Sequence, residues 1–495
     1  MALTRSQSYI DNTLEPTYTF TKKHFYTYIM EINLAHTLML KKQQIVSDED
    51  ASKIAEATLA LLKKGYNKEY DPGFEDLFFM IESDLSNIIG PELVGNMHIA
   101  FSRNDMDTTM FRMLWRQKLS EWIEQINDLR ETLLELIDEH KETVMPAHTH
   151  NQQAQPTTLA HYLLAVENNL QRDVERGIAL YNRINHCPMG AAALATTGFD
   201  IDRYEMSDQL GFSSPLPNSY DAISASDFML EIGSVLSISL STLSRFVYDL
   251  MFMATNEVNT LRLHDQHVQT SSIMPQKRNP SALEHTRASI SKAIAELQGC
   301  FTVAHSVPLG DIVDIGDDIQ PPLLSGVDHT YGILAILTEI LQHASFNKTK
   351  LYQSAEDGFS TVTELADVLV RNHSVSFRTA HKIVSELVKE LTKNGQDIRQ
   401  GNADLVNFIA KKKVNVTLSL SKNEFKRAID PKGFVAIRKT LGGPAPREVE
   451  RQLNAAHLTL KKDQNWIAGT FHSLSQYSTR LEENAKLCVK DNHSV

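Results

Sequence analysis

Turn-forming residues are scarce in this chain. It has 21 glycines and 16 prolines among 495 residues, well below the ~12% that the two usually contribute together. This excludes collagen-like and low-complexity character and argues against an all-β fold. Cysteine is scarcer still. Cys187, Cys300 and Cys488 lie far apart with no CxxC pair, and they read as free thiols in a reducing compartment. Excess positive charge is missing too, since 49 Lys and Arg face 61 Asp and Glu for a formal charge of −12. A global basic surface for nucleic acid or acidic lipid is therefore excluded. No uninterrupted apolar run reaches the ~18 residues of a membrane span, and the best stretch, Val235 to Ala254, is broken by serines, Arg245 and Asp249. The opening MALTRSQSYIDNTLEP lacks the apolar segment of a secretory signal. The expectation is a soluble cytoplasmic protein without nucleic-acid or membrane partners.

What is present is helical periodicity. From Phe111 to Glu142 apolar residues recur in steps of three and four, the mark of one helix face. Some 30 residues at 1.5 Å each span roughly 45 Å, a length typical of bundles and coiled coils. Thr158–Asn185, Ser224–Asn256, Ser281–His305 and Gln320–Ala344 repeat the pattern, so an elongated bundle is predicted. Several segments, such as LLAVENNL beside IALYNRI, carry apolar residues on more than one face, which predicts a homo-oligomer. Shorter helices are predicted before it, at Lys23–Lys42 and at Asp48–Lys64 with Asp48 as a cap, and after it, at Val362–Arg371 and Phe377–Lys393. GGPAP at Gly442–Pro446 reads as a turn before one more helix. At ~150 residues per domain, the chain divides into an all-α protein of three helical domains: residues 1–109, a long-helix bundle over 110–355, and residues 356–495.

Three polar stretches can carry chemistry. In TSSIMPQKRNPSALE, Thr270–Glu284, Lys277 and Asn279 can bind a carboxylate by charge and by amide donor. Ser271 offers a hydroxyl that becomes a base if its alkoxide is stabilised. The plainer reading is a surface loop in which Ser281 and Glu284 form a capping box. In MPAHTHNQQAQP, Met145–Pro156, His148 and His150 lack further ligands at metal-site spacing. The segment reads as a loop and cap, or His150 as an acid/base titrating near neutral pH. In FSRNDMD, Phe101–Asp107, Arg103 and Asn104 can grip a carboxylate, while Ser102, Asn104 and Asp105 equally suit a helix start.

Together these stretches resemble one family. SSIMPQKRNP is similar to the signature loop of the fumarase/aspartase superfamily, whose members eliminate fumarate from substituted succinates. Within it, SRND at Ser102–Asp105, TH-x-Q-x-AQP at Thr149–Pro156, MGAAALATTGFDIDR at Met189–Arg203, NSYDAISASDFMLE at Asn218–Glu231, TELADVLVR at Thr363–Arg371 and GGPAPREV at Gly442–Val449 resemble argininosuccinate lyases. The resemblance implies Ser271 as the base for the Cβ proton and His150, held by Glu284, as its acid/base partner. It implies Lys277, Asn279, Asn104 and Thr149 as ligands of the succinyl carboxylates, with Ser102 and Arg103 beside them. It also implies an N-substituted aspartate as substrate, fumarate as product, and no metal or organic cofactor. The implied assembly is a homotetramer around a twenty-helix bundle, each active site drawing residues from three subunits.

The departures fall on one half of the implied site. The family's YNKDLQEDKE segment meets DIVDIGDDIQ at Asp311–Gln320 when counted without gaps. The tyrosine, glutamine and lysine implied to contact the arginine part become Asp311, Gly316 and Ile319. Asn33 stands where the family has a substrate-binding serine, Phe78 replaces the histidine of an E-D-x-H motif, and Thr270 replaces a glycine. The leading expectation is argininosuccinate cleaved to L-arginine and fumarate, the alternative a different N-succinyl amine. The presence of Ser271, His150 and Lys277 argues against a non-catalytic structural relative.

Overall fold

The computed structural model describes residues 5–492. After α1 (Glu15–His24), α2 (Tyr26–Lys42), α3 (Asp48–Lys64) and α4 (Leu77–Ile89), the chain enters α5, a single helix from Arg103 to Glu139. It starts eight residues before the apolar repeat because Ser102 caps it. The Ser102 hydroxyl accepts the Asn104 N–H at 3.3 Å, and the Asp105 carboxylate accepts the Ser102 N–H at 3.0 Å, a reciprocal capping box. No glycine or proline interrupts it. Trp115 and Trp122 from this helix are fully buried. At α3 the cap is Ser47, whose oxygen accepts the Asp50 N–H at 3.1 Å. Asp48 is thus the first helical residue, where a carboxylate meets the positive helix end.

The chain then turns through an antiparallel hairpin, β1 (Val144–Thr149) and β2 (Gln152–Thr158). The expected loop is therefore a hairpin. Its two-residue tip, His150 and Asn151, has φ of 53° and 57°, the left-handed pair of a type I′ turn that suits strand twist. Four further long helices follow: α6 (Leu159–Ile184), α7 (Asp227–Met253), α8 (Ser281–Ala304) and α9 (Gln320–His343). Each packs on the next and α9 returns to α5, closing a five-helix bundle. The all-α long-bundle architecture is as expected. Helix α7 is long and apolar enough to cross a membrane by length and composition, but half of its most apolar stretch is buried in the bundle.

Among the described residues the two largest apolar clusters are unequal in size. The large core takes residues from α1 to Leu351 and again from Val449 to Cys488. The small core, Leu365–Ala428, belongs to α10 (Val362–His373), α11 (Phe377–Lys393), α12 (Ala403–Lys413) and α13 (Lys422–Ala428). The last helix, α14 (Pro446–Asn492), packs on α2, α3, α5 and α6, so it joins the bundle rather than residues 356–430. A buried ion-pair network holds it there: Arg130 of α5 meets Glu167 of α6 at 3.0 Å and Asp463 of α14 at 2.6 Å.

Candidate active site

The residues singled out by chemistry lie in three groups at two ends of the bundle. The first group surrounds the start of α5. Arg103 pairs with Asp76, lies 3.8 Å from Glu75 and stacks over the Phe79 ring at 5.0 Å. Asn104 donates an amide N–H to the Ala193 carbonyl at 3.1 Å. Asp107, Asp311 and Asp317 crowd the same end. Burial, then the charges of Asp317, Asp76 and Asp311, raise the Asp107 carboxyl well above its usual range. Desolvation and the charges of Asp318, Asp76 and Asp311 push Asp317 up to about 6, with Arg103 opposing.

Five sequence departures belong to the elements around this end. Asp311 is exposed, and Gly316 sits in a π-turn, Asp314–Asp318, with open space where a side chain would point. Ile319 corrects the expectation of a pocket residue: its side chain has no exposed surface and belongs to the large core. Asn33, on α2, is likewise buried, at 2% exposure. Phe78, in place of the motif histidine, joins a ring cluster with His98 at 5.2 Å and Phe101 at 6.1 Å.

The second and third groups lie at the opposite end. Thr149 and His150 occupy the exposed hairpin tip. Ser271 and Lys277 bound the loop between two paired strand fragments, β3 (Gln269–Thr270) and β4 (Arg278–Asn279), with Asn279 in the second. The Ser271 oxygen accepts backbone N–H groups from Ile273 at 3.3 Å and Met274 at 3.1 Å. Such a pair of donors is what an alkoxide needs. Glu284 projects exposed from the first turn of α8. The expected capping box is absent: Pro280 is the N-cap with no side-chain bond, and Ser281 is already helical. Among the described residues, neither His150 nor Glu284 has a side-chain hydrogen bond or ion pair within the chain. A Lys348–Glu139 ion pair at 3.0 Å and the His140–Phe346 ring contact at 5.3 Å fix the loop stem at the α5 C-terminus, since β-paired Leu261 faces Phe346. The first group is therefore separated from the other two by the length of α5, roughly 54 Å at 1.5 Å per residue.

Sequence reasoning treated Asp105 only as a cap, yet it is fully buried and binds the Gly190–Ala192 turn as well. The signal available was its place as the fourth residue of SRND.

Residues 17–294 match a family model described as lyase, and residues 359–436 match one described as argininosuccinate lyase C-terminal. The chain is 38% identical to the argininosuccinate lyase of Methanosarcina barkeri over 88% of both proteins. It is 36% identical to argininosuccinate lyase 1 of Shouchella clausii over 97% of this chain and 98% of that protein. Among solved structures, EDDS lyase in complex with formate superposes with a TM-score of 0.89 at 29% identity, covering 99% of this chain and 97% of that one.

Proposed function

The chain belongs to the argininosuccinate lyase family of carbon–nitrogen lyases, and on that premise we propose that it cleaves argininosuccinate to L-arginine and fumarate. The observation that carries the mechanism is the pair of backbone N–H groups on the Ser271 oxygen. They stabilise the serine alkoxide, which takes the Cβ proton of the succinyl group. The electron pair left behind moves into the adjacent carboxyl group, and Lys277, whose side chain has no ion-pair partner among the described residues, balances the second negative charge as it forms. The pair then returns to make the carbon–carbon double bond while the C–N bond breaks. His150, with Glu284 behind it, supplies the proton to the departing nitrogen. Thr149, Asn279, Ser102 and Asn104 hold the carboxylates. The carboxylates of Asp76, Asp107, Asp311 and Asp317 around Arg103 suit the guanidinium of the amine half.

The separation of the groups along α5 supports a homotetramer whose subunits share each site. So do the exposed apolar residues Ile238, Tyr248 and Phe252 along α7, at 45%, 54% and 44%. Three free, buried cysteines support a cytoplasmic location.

The test is Ser271→Ala. Fumarate release, followed by its ultraviolet absorbance, should be abolished while calorimetric binding of argininosuccinate is retained, because the hydroxyl acts in the chemical step. Lys277→Met should weaken both, since its charge meets the carboxylate before and during reaction. A near-wild-type kcat for Ser271→Ala would show that another group is the base.

A further inference from the structure

Asp105 does more than close a capping box. Its side chain has no exposed surface and makes no ion pair among the described residues, although the Arg203 guanidinium is near enough to feel its charge, and three backbone N–H groups converge on it. Ser102 donates to one oxygen at 3.0 Å, and Gly190 and Ala192 both donate to the other at 2.9 Å. Gly190 and Ala192 have φ of 85° and 52°, so the turn that aims both N–H groups one way is a left-handed arrangement of the kind that cradles anions. Here the group in the cradle is the protein's own carboxyl, which accepts all three N–H groups. A Cβ on Gly190 would stand 2.6 Å from the Arg203 side chain, and Arg203 itself donates to the Met189 and Pro188 carbonyls at 3.0 and 3.2 Å. The turn is thus pinned from both sides.

The residue next to Asp105 is Asn104, whose amide donates one N–H to Ala193 in the same turn. That leaves the second N–H as a ligand donor. We infer that Asp105 is a positioning residue: it clamps the Gly190–Ala193 turn onto the first turn of α5 and thereby sets where Ser102 and Asn104 present their donors. This rests on the reading above that Asn104 binds a substrate carboxylate. The clamp acts on binding and not on the base or acid, which lie at the other end of the helix.

Asp105→Asn keeps the shape but turns an amide N–H toward donors. In the assembled enzyme it should raise KM for argininosuccinate about tenfold while kcat changes by less than about threefold, a split that global destabilisation does not produce. Gly190→Ala, which displaces the turn from the other side, should give the same split and decides the matter if Asp105→Asn does not fold. Asn104→Ala should raise KM by itself, and adding Asp105→Asn to it should raise KM little further, because both act through one amide. If Asn104→Ala leaves KM unchanged, the reading of Asn104 as a substrate ligand fails. If Asn104→Ala raises KM but folded Asp105→Asn and Gly190→Ala leave it at the wild-type value, or if the effects multiply, the positioning role is overturned.

Discussion

Burial raises the Asp105 carboxyl to about 7, while the N–H groups of Ser102, Ala192 and Gly190 pull it down. In the unfolded chain the same group titrates near ~3.9. Between those values the folded protein holds a proton that the unfolded chain has released, so rising pH favours unfolding until about 7 and has no further effect above it. The unfolding free energy of wild type minus that of Asp105→Asn should accordingly fall from pH 5 to pH 7, by at most ~1.4 kcal/mol per pH unit, and then level off. Urea titrations at four pH values across this range measure it, and a difference independent of pH would show that the hydrogen bonds outweigh burial. The cap at Ser102 was legible in the sequence because capping is local chemistry. The second role of Asp105 was not, because its partners stand 85 and 87 residues away. Ile319 was misread for a similar reason. Counting along an ungapped segment locates a residue in the chain but cannot tell which side of a turn faces the core.

The long helices were legible because their apolar repeats run for many turns. The length of α14, 47 residues, was not, since its pattern is mostly polar and its docking depends on distant partners. Glu31 of α2 accepts hydrogen bonds from Tyr477 at 3.2 Å and Ser478 at 2.7 Å, and the Arg130 network fixes the middle of the helix. Arg130 has no exposed surface and Asp463 only 4%. Removing one partner of such a network strands a buried charge, a loss of about 3–5 kcal/mol. Asp463→Ala should therefore destabilise the fold by that amount in urea unfolding at pH 7, with loosened packing of α14 seen as faster amide exchange along it. A change below about 1 kcal/mol, the value of an exposed pair, would mean that Glu167 and the Asn127 side-chain carbonyl oxygen, which accepts from Arg130 at 3.1 Å, satisfy Arg130 without Asp463. The β1–β2 hairpin escaped the sequence reading because β1 opens on a short apolar run, β2 is largely polar, and neither alternates. Its signal was the His150–Asn151 pair, the second a residue tolerant of left-handed φ.

No small substrate spans the length of α5, so if Asn104 and Ser271 act on one molecule as proposed, they come from different chains. The proposed homotetramer, with neighbouring helices running in opposite directions, would place the start of one α5 beside the end of another, and the exposed apolar residues of α7 would be the surface for that packing. Light scattering should give about four times 55.7 kDa. A sharper expectation follows from sharing. Ser271→Ala subunits keep an intact first group, while Asn104→Asp subunits, inactive because a carboxylate repels the substrate, keep an intact signature loop. If each site takes these two groups from different subunits, random assembly of an equal mixture rebuilds both in about one quarter of the sites. Co-expressing the two inactive variants should therefore restore about a quarter of wild-type kcat per site, with KM close to the wild-type value. If the loop instead reaches Asn104 of its own chain, every site in the mixture carries one defect and the activity stays at the level of the separate variants.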